Sequence, residues 1–305
     1  MLNLDFPEHR TSRILITGSN GFVGCALAKR LFALGFENLF LTSSSSSKLD
    51  FGSFFQIDFS DTSALVAILS EVKPECIINT AAISSIEGAF FQPEKALEVN
   101  AFAPELLARY CAIHRVKLVH FSTDFVFDGT HTAMTENHKE NPISSYGSSK
   151  WLGDKFIEHC CNNHVIIRPI MVFGEKEEWQ RHNFYTWLVQ ALQKNDSVNI
   201  TADQWRQPTY ISDLVEAVLQ LTFSNATGLH HIAGADYLNV MDFARKIALS
   251  FNEPEDKLNA MDTHVLGTPE PRPLASGFDL SKVQKAIYYH PKSIDKAILH
   301  IKNGR

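Results

Sequence analysis

The sequence predicts an α/β fold, a doubly wound parallel sheet with a smaller carboxy-terminal lobe, and three observations predict it. Short apolar runs alternate with amphipathic helical stretches from Arg13 to Gly174, the pattern that builds a parallel sheet covered by helices on both faces. A glycine-rich string, Thr17-Gly18-Ser19-Asn20-Gly21-Phe22-Val23-Gly24, stands between the first apolar run and the first helix. Beyond Gly174 the alternation lapses into helices separated by irregular stretches, with prolines at 254, 269, 271 and 273.

Arg13-Ile14-Leu15-Ile16-Thr17 reads as a buried strand, and Val23, Leu27, Leu31 and Leu34 recur at helical spacing over Phe22 to Leu34. A second strand over Asn38 to Thr42 leads into the serine run Ser43 to Ser47, and a third spans Phe54 to Asp58. Leu65, Ile68, Leu69 and Val72 mark the next helix, and Cys76 to Asn79 the fourth strand. Pro93 suits a helix start. Pro104, which lacks an N–H, is expected to kink or divide the helical stretch that runs on through Leu106, Leu107 and Tyr110. Lys117 to Ser122 makes a fifth strand, Tyr146 to Cys161 a helix, and His164 to Phe173 a sixth strand ending at Gly174. Helices follow near Phe184 to Gln193, Ile211 to Thr222 and Val240 to Phe251, while the apolar pattern of Gly228 to Ala233 is expected to return to the sheet. The first domain is therefore expected over 1–174 with 207–234 returning to it, and the smaller lobe over 175–206 and 235–305.

Composition narrows the function classes. A chain of 305 residues with 45% apolar side chains can bury a full core, and a net charge of −6 with no basic face gives no case for nucleic acid. Five cysteines, odd in number and without a C-x-x-C pair, suggest neither a disulfide framework nor a zinc site and fit a reducing cytoplasm. The thirteen histidines do not converge on metal-ligand spacing, so no metal is expected. Met1 to Arg13 lacks a targeting pattern, and no later apolar run approaches the ~18 residues a membrane span needs.

Gly18, Gly21 and Gly24 stand three apart, directly after a strand and at the entry of a helix. Glycines let the backbone turn tightly and approach a pyrophosphate, whose charge a helix N-terminus favours. Asn20, Phe22 and Val23 share that turn and are placed with the glycines in a dinucleotide cradle. An acid at the end of the second strand binds both ribose hydroxyls of NAD, whereas neutral or basic groups make room for a 2′-phosphate. Here the strand ends in Thr42 and Ser43, with Ser44 and Lys48 nearby and Asp50 the first acid beyond them. NADP(H) is therefore favoured over NAD(H). Asp58, followed by Phe59, can accept from the adenine amino group, and the small residues Thr80, Ala81 and Ala82 after Asn79 let the backbone approach the cofactor.

Tyr146 and Lys150 are four apart on a helix and emerge on one face, one turn from each other. A phenol ionises near pH ~10, and a neighbouring ammonium is expected to favour ionisation, making Tyr146 a better proton donor to a forming alkoxide. Lys150 can also hold the nicotinamide ribose. Thr123, just past the fifth strand, is placed to hydrogen-bond a substrate carbonyl oxygen. Thr123, Tyr146 and Lys150 are thus the expected catalytic set.

Taken with Asn79 to Ala82, Val99-Asn100, Ser122-Thr123-Asp124-Phe125-Val126-Phe127-Asp128-Gly129, Glu136, Tyr146-Gly147 with Lys150, Asp203-Gln204 with Pro208-Thr209, and Arg272-Pro273 through Asp279, the chain resembles the extended short-chain dehydrogenases/reductases. Within them it is similar to the dTDP-4-dehydrorhamnose reductase group over nearly its whole length. The resemblance implies a Rossmann-type sheet and reduction of the 4-keto group of a nucleotide-linked deoxysugar by NADPH or NADH. It also implies that Asp124, Phe125, Gln204 and Thr209 line the sugar pocket, and by analogy a homodimer. Related dehydratases carry Asp-Glu after the strand-end Thr; here Phe125 follows Asp124, which implies a simple reductase. Two strings depart from the group: Arg168-Pro169-Ile170-Met171-Val172-Phe173 lacks its tryptophan, and Arg206 replaces a small residue, adding bulk and charge near the pocket. The alternatives are an epimerase of the same superfamily, and a non-catalytic dinucleotide-binding subunit of the kind that regulates methionine adenosyltransferase.

Overall fold

The computed structural model describes residues 5–304. The part of the expectation about a targeting segment that concerns Met1 to Leu4 lies outside the described residues. The chain first forms β1 (Ile14–Thr17), α1 (Phe22–Ala33), β2 (Leu39–Ser43), β3 (Ser53–Gln56), α2 (Thr62–Val72) and β4 (Cys76–Asn79). It continues with α3 (Ile86–Phe91), α4 (Pro93–Leu97), α5 (Ala103–His114), β5 (Lys117–Phe121), α6 (Ser145–Cys160), β6 (His164–Pro169) and β7 (Val172–Phe173). The remainder adds α7 (Phe184–Gln193), β8 (Val198–Thr201), β9 (Trp205–Arg206), β10 (Thr209–Tyr210), α8 (Ile211–Thr222), β11 (Gly228–Ile232) and β12 (Leu238–Asn239). The last elements are α9 (Val240–Ser250), β13 (Leu258–Met261), α10 (Ser281–Ala286) and α11 (Ile294–Asn303).

Seven strands form one parallel sheet in the order β11-β6-β5-β4-β1-β2-β3. The strand order reverses between β1 and β4, and in such sheets ligands bind outside the carboxyl ends of the strands at that switch point. Every residue of β1 and β4 is buried. Alternation along β1 divides two cores: Ile14 and Ile16 pack with Leu27, Leu31, Val215 and Leu219 on one face, and Leu15 with Leu65, Leu69, Leu107 and Ile157 on the other. β11 lies in the segment expected to return to the sheet and pairs with β6, Gly228 opposite Val165.

Two expectations about elements change and one about Pro104 holds. The sixth strand is two: β6 ends at Pro169, and Met171 adopts a left-handed backbone with φ 41° that turns β7 out of the sheet to pair with β10. Proline has no N–H to continue the ladder, which is why the sheet pairing stops there. Asp58 lies beyond its strand, which ends at Gln56. As expected, the helical stretch is divided at Pro104: α4 ends at Leu97, a π turn spans Glu98–Phe102, and Pro104, which cannot donate back to Asn100, falls in the first turn of α5. The backbone exposed there is used in packing: a Cβ at Gly153 of α6 would lie 2.2 Å from the Asn100 carbonyl oxygen.

Four histidines are buried in the sheet, His120 on β5, His164 on β6, and His230 and His231 on β11. Burial lowers the pKa of His230 to about 4 and of His231 to about 3, and holds His120 well below its usual value. The unfolded chain therefore binds more protons than the folded one between its ordinary histidine range and these depressed values. Stability is full above pH ~6.5 and falls as the pH drops through the folded pKa values, by up to ~1.4 kcal/mol per pH unit per histidine. Thermal melts from pH 7 to pH 4 should record this fall, and His231→Gln should flatten it. Among the described residues, no helix is long and apolar enough to cross a membrane.

Candidate active site

The glycine turn is shaped by what it touches. Gly18 has φ 68°, and a Cβ there would lie 2.8 Å from the Ala81 nitrogen; a Cβ at Gly24 would lie 2.5 Å from both the Gly18 carbonyl oxygen and Thr80 Oγ1. The β1–α1 turn therefore presses directly on Thr80 and Ala81 at the switch point. Thr80 Oγ1 donates to the Thr17 carbonyl at 2.5 Å, locking the two loops together. Gly21 is the N-cap of α1 and supplies no side-chain acceptor, so the first-turn N–H groups, including those of Phe22 and Val23, are left for an anion.

Asn20 joins this turn to the serine run. Its Nδ2 donates to Ser45 Oγ at 3.0 Å and to the Ser46 carbonyl at 2.9 Å, while its Oδ1 accepts from the Lys48 N–H at 3.3 Å. The loop carrying Ser43, Ser44 and Lys48 is thereby folded beside the glycine turn, with Ser44 and Lys48 exposed and Ser43 half-buried. A backbone cradle flanked by hydroxyls and an ammonium, with no carboxylate at the strand end, fits a dinucleotide bearing a 2′-phosphate.

Asp58 is exposed and engaged with its neighbours: Lys95 Nζ donates to it at 2.7 Å and Ser60 Oγ at 2.8 Å. The Lys95 hydrogen bond, then those from Ser60, bring its carboxyl down to about 2. Phe59 is core, packed with Ile57 and Leu65, so it offers a ligand its backbone and not its ring. Ala81 and Ala82 remain half-buried at the end of β4.

Thr123 is the N-cap of a 3-10 turn over Asp124–Val126, and its hydroxyl accepts from the Phe125 N–H at 3.2 Å. α6 begins one residue before Tyr146, and its first turn is held twice. Ser144 Oγ accepts from the Gly147 N–H, and Glu270 accepts from the Ser145 N–H at 2.9 Å and from Ser145 Oγ at 2.7 Å. Tyr146 packs edge-on against Phe125, ring centroids 5.9 Å apart, and Thr123 lies near enough to its phenol to pull the pKa down.

The expected lowering of the phenol's pKa is overturned. Burial pushes Tyr146 up to about 12, and the Asp124 and Asp154 carboxylates add to the rise against the lowering by Thr123. The phenol is thus protonated across the neutral range. Lys150 is 1% exposed, and burial lowers its pKa to about 8 against the opposing pull of Asp154. Its Nζ lies 3.1 Å from His120 Nε2.

The expected sugar-pocket residues separate into two groups. Asp124 and Phe125 stand beside Thr123 and Tyr146. Asp124 is 5% exposed and accepts from Ser276 Oγ at 2.6 Å, and burial raises its pKa. Thr209, in contrast, is fully buried: its hydroxyl donates to the Ile170 carbonyl at 2.7 Å, so it braces β10 and cannot face a ligand. Gln204 has both ends of its amide occupied, Oε1 by Arg206 and Nε2 by Thr263 Oγ1 at 2.9 Å. Arg206 does not put bulk and charge into open space either. It is 4% exposed, and its guanidinium donates to the Trp205, Pro273 and Leu274 carbonyls.

Several site residues were not visible in local sequence pattern. Glu270 and Ser276 come from the proline-rich segment and reach α6 and Asp124 across more than a hundred residues. Arg272 pins the same segment to Glu87 of α3 at 2.6 Å. His120 left one signal, a polar residue inside the apolar run Leu118-Val119-His120-Phe121. Among the described residues, no cluster of His, Cys, Asp and Glu is arranged to hold a metal ion.

Comparison with known proteins gives concordant matches. The family model described as the RmlD substrate binding domain matches residues 12–303. A dTDP-4-dehydrorhamnose reductase of Aggregatibacter actinomycetemcomitans is 29% identical over 304 residues, covering 95% of this chain and 98% of that protein. Methionine adenosyltransferase 2 subunit beta of Xenopus tropicalis is 29% identical over 279 residues, covering 90% of this chain and 82% of that one. A solved dTDP-4-dehydrorhamnose reductase from Bacillus anthracis, in complex with NADP, superimposes with a TM-score of 0.85 at 24% identity, covering 97% of this chain and all of that one.

Proposed function

The chain belongs to the RmlD substrate binding domain family, and from that premise we propose that it is an NADP(H)-dependent reductase of a nucleotide-linked 4-keto-deoxysugar, dTDP-4-dehydrorhamnose or a close relative. The observation that carries this reading is the meeting of Thr123 and Tyr146 beside buried Lys150, next to a glycine turn pressed on Thr80 and Ala81.

Gly18, Gly21 and Gly24 with the α1 N-terminus would hold the pyrophosphate, Ser43, Ser44 and Lys48 the 2′-phosphate, and Lys150 the nicotinamide ribose. When bound, the dinucleotide supplies the hydride. The residues of this chain do the rest. Thr123 and Tyr146 hold the keto oxygen, which fixes the carbonyl carbon for attack. Tyr146, protonated at neutral pH, gives its proton to that oxygen as negative charge develops on it. Asp124, held by Ser276, and Phe125 form the adjoining wall of the sugar pocket. The absence of a glutamate after Asp124 leaves no second acid/base group for elimination. The same reading carries a homodimer and a cytoplasmic setting. The intact Thr123, Tyr146 and Lys150 favour an enzyme over a regulatory subunit, a role that the relative from Xenopus tropicalis keeps in view.

A panel of nucleotide 4-keto sugars, assayed for NAD(P)H oxidation, tests the reading. The expected result is stoichiometric oxidation with at least one dTDP-linked substrate, and fluorescence titration giving tighter binding of NADPH than NADH. No net oxidation with any sugar would refute the reductase, and tighter NADH binding would refute the role given to Ser43, Ser44 and Lys48.

A further inference from the structure

Beneath Lys150 lies a buried polar chain that the proposed chemistry does not use. His120 is fully buried in β5. Its Nε2 is 3.1 Å from Lys150 Nζ and 3.9 Å from Asp154 Oδ1, both on α6, and its Nδ1 is 2.9 Å from Asn79 Nδ2 on β4. Asn79 Oδ1 in turn accepts from Thr17 Oγ1 at 2.6 Å, tying the chain to the strand that leads into the glycine turn. Asp154 Oδ1 has no hydrogen-bond partner among the described residues, whereas Oδ2 receives Ser122 Oγ and Arg168 at 2.7 and 2.9 Å.

An ammonium only donates, so a charged Lys150 needs an unprotonated Nε2, which puts the ring proton on Nδ1. That proton needs an acceptor, and a half-turn of the Asn79 amide presents its oxygen to Nδ1 without changing the shape of the side chain, its Nδ2 then donating to Thr17 Oγ1 in place of the bond it now accepts there. With the amide as it stands, Asn79 donates to Nδ1 and the ring proton sits on Nε2, facing Asp154 Oδ1 and a neutral Lys150 amine. The chain thus has two self-consistent arrangements, and they differ in the charge on Lys150.

Resting on the reductase reading, we propose that His120 is a positioning residue for Lys150: its Nε2 accepts from the ammonium and holds it charged beside Asp154. The charged and titratable groups around it are Lys150 and Asp154 on α6 and His164 and Arg168 on β6, and among them Asp154 is the carboxylate that favours the ammonium. Lys150 already titrates low, at about 8, because it is buried. Removing its acceptor deepens that desolvation and lowers the pKa further.

The test is the titration of Lys150 in the protein free of substrate and cofactor, followed by NMR of 13C-labelled lysine and assigned with Lys150→Arg. His120→Phe should lower the midpoint by about one unit, which at pH 8 leaves about a tenth of the lysines charged in place of about half. Because the reductase reading has Lys150 hold the nicotinamide ribose, NADPH affinity should follow the same shifted midpoint, up to roughly fivefold weaker at pH 8, with kcat at saturating NADPH changed less. His120→Gln, which can offer an amide oxygen near the place of Nε2, should restore both. His120→Leu replaces His120→Phe if the larger ring prevents folding. A wild-type midpoint in the apolar variant, or failure of His120→Gln to restore it, overturns the proposal. Because the titration needs no turnover, a protein that reduces no sugar would refute the reductase reading and still leave His120 decided.

Discussion

Tyr146→Phe is expected to lower kcat by ~10²–10⁴-fold, the usual contribution of a positioned general acid, while NADPH affinity stays within about twofold of wild type. The substitution removes one hydroxyl and keeps the ring that packs on Phe125. Thr123 remains to hold the keto oxygen, so the loss should fall on kcat more than on KM. Steady-state kinetics with fluorescence titration of NADPH checks this, and unchanged turnover would remove Tyr146 from the chemistry. The high pKa of this phenol, about 12, sharpens the expectation, since at neutral pH wild-type Tyr146 always carries the proton that the variant lacks.

The largest effect on stability is expected from Asp154→Ala, a loss of ~3–5 kcal/mol. Asp154 and Arg168 are both fully buried and 2.9 Å apart, with Glu140 as the second carboxylate on Arg168 at 2.9 Å and the Phe127 ring 5.4 Å from the guanidinium. Removing Asp154 leaves the fully buried guanidinium with Glu140 as its one remaining carboxylate and takes the acceptor from Arg168 Nε. The double variant Asp154→Ala/Arg168→Met should therefore be more stable than the sum of the single changes, because the half-paired buried guanidinium is gone. Urea unfolding of the three variants measures both quantities, and additive losses would mean that the pair is not coupled.

Much of the fold was legible because alternating apolar runs and helical spacings are local signals. Ile14-Leu15-Ile16 could only be a buried strand, and Val23, Leu27 and Leu31 could only be one helix face. The Tyr146 and Lys150 pair was legible for the same reason, since four residues is one helical turn. What escaped was set by tertiary contact. Pro169 was a local cue for the end of β6, but the pairing of β7 with β10 that carries the chain out of the sheet is tertiary, and nothing in Ile170-Met171-Val172 announces it. Thr209 and Gln204 were assigned to a pocket through resemblance, yet the hydroxyl of Thr209 is spent on backbone and the Gln204 amide on Arg206 and Thr263. The phenol's upward shift likewise comes from burial and from Asp124 and Asp154, which spacing along α6 does not reveal.

The hold of Glu270 on the start of α6 has a consequence for how the molecule comes into being. When Lys150 leaves the ribosome, the residues that will cap Ser145 and brace Asp124 are still untranslated, and at ~5–20 residues per second they follow roughly 6–24 seconds later. Until then the nascent chain carries its reactive side chains on a helix whose first turn lacks the Glu270 carboxylate. The brace on the catalytic helix arrives only once Glu270 and Ser276 have been made, so a polypeptide released before them would keep the glycine turn and lack that brace.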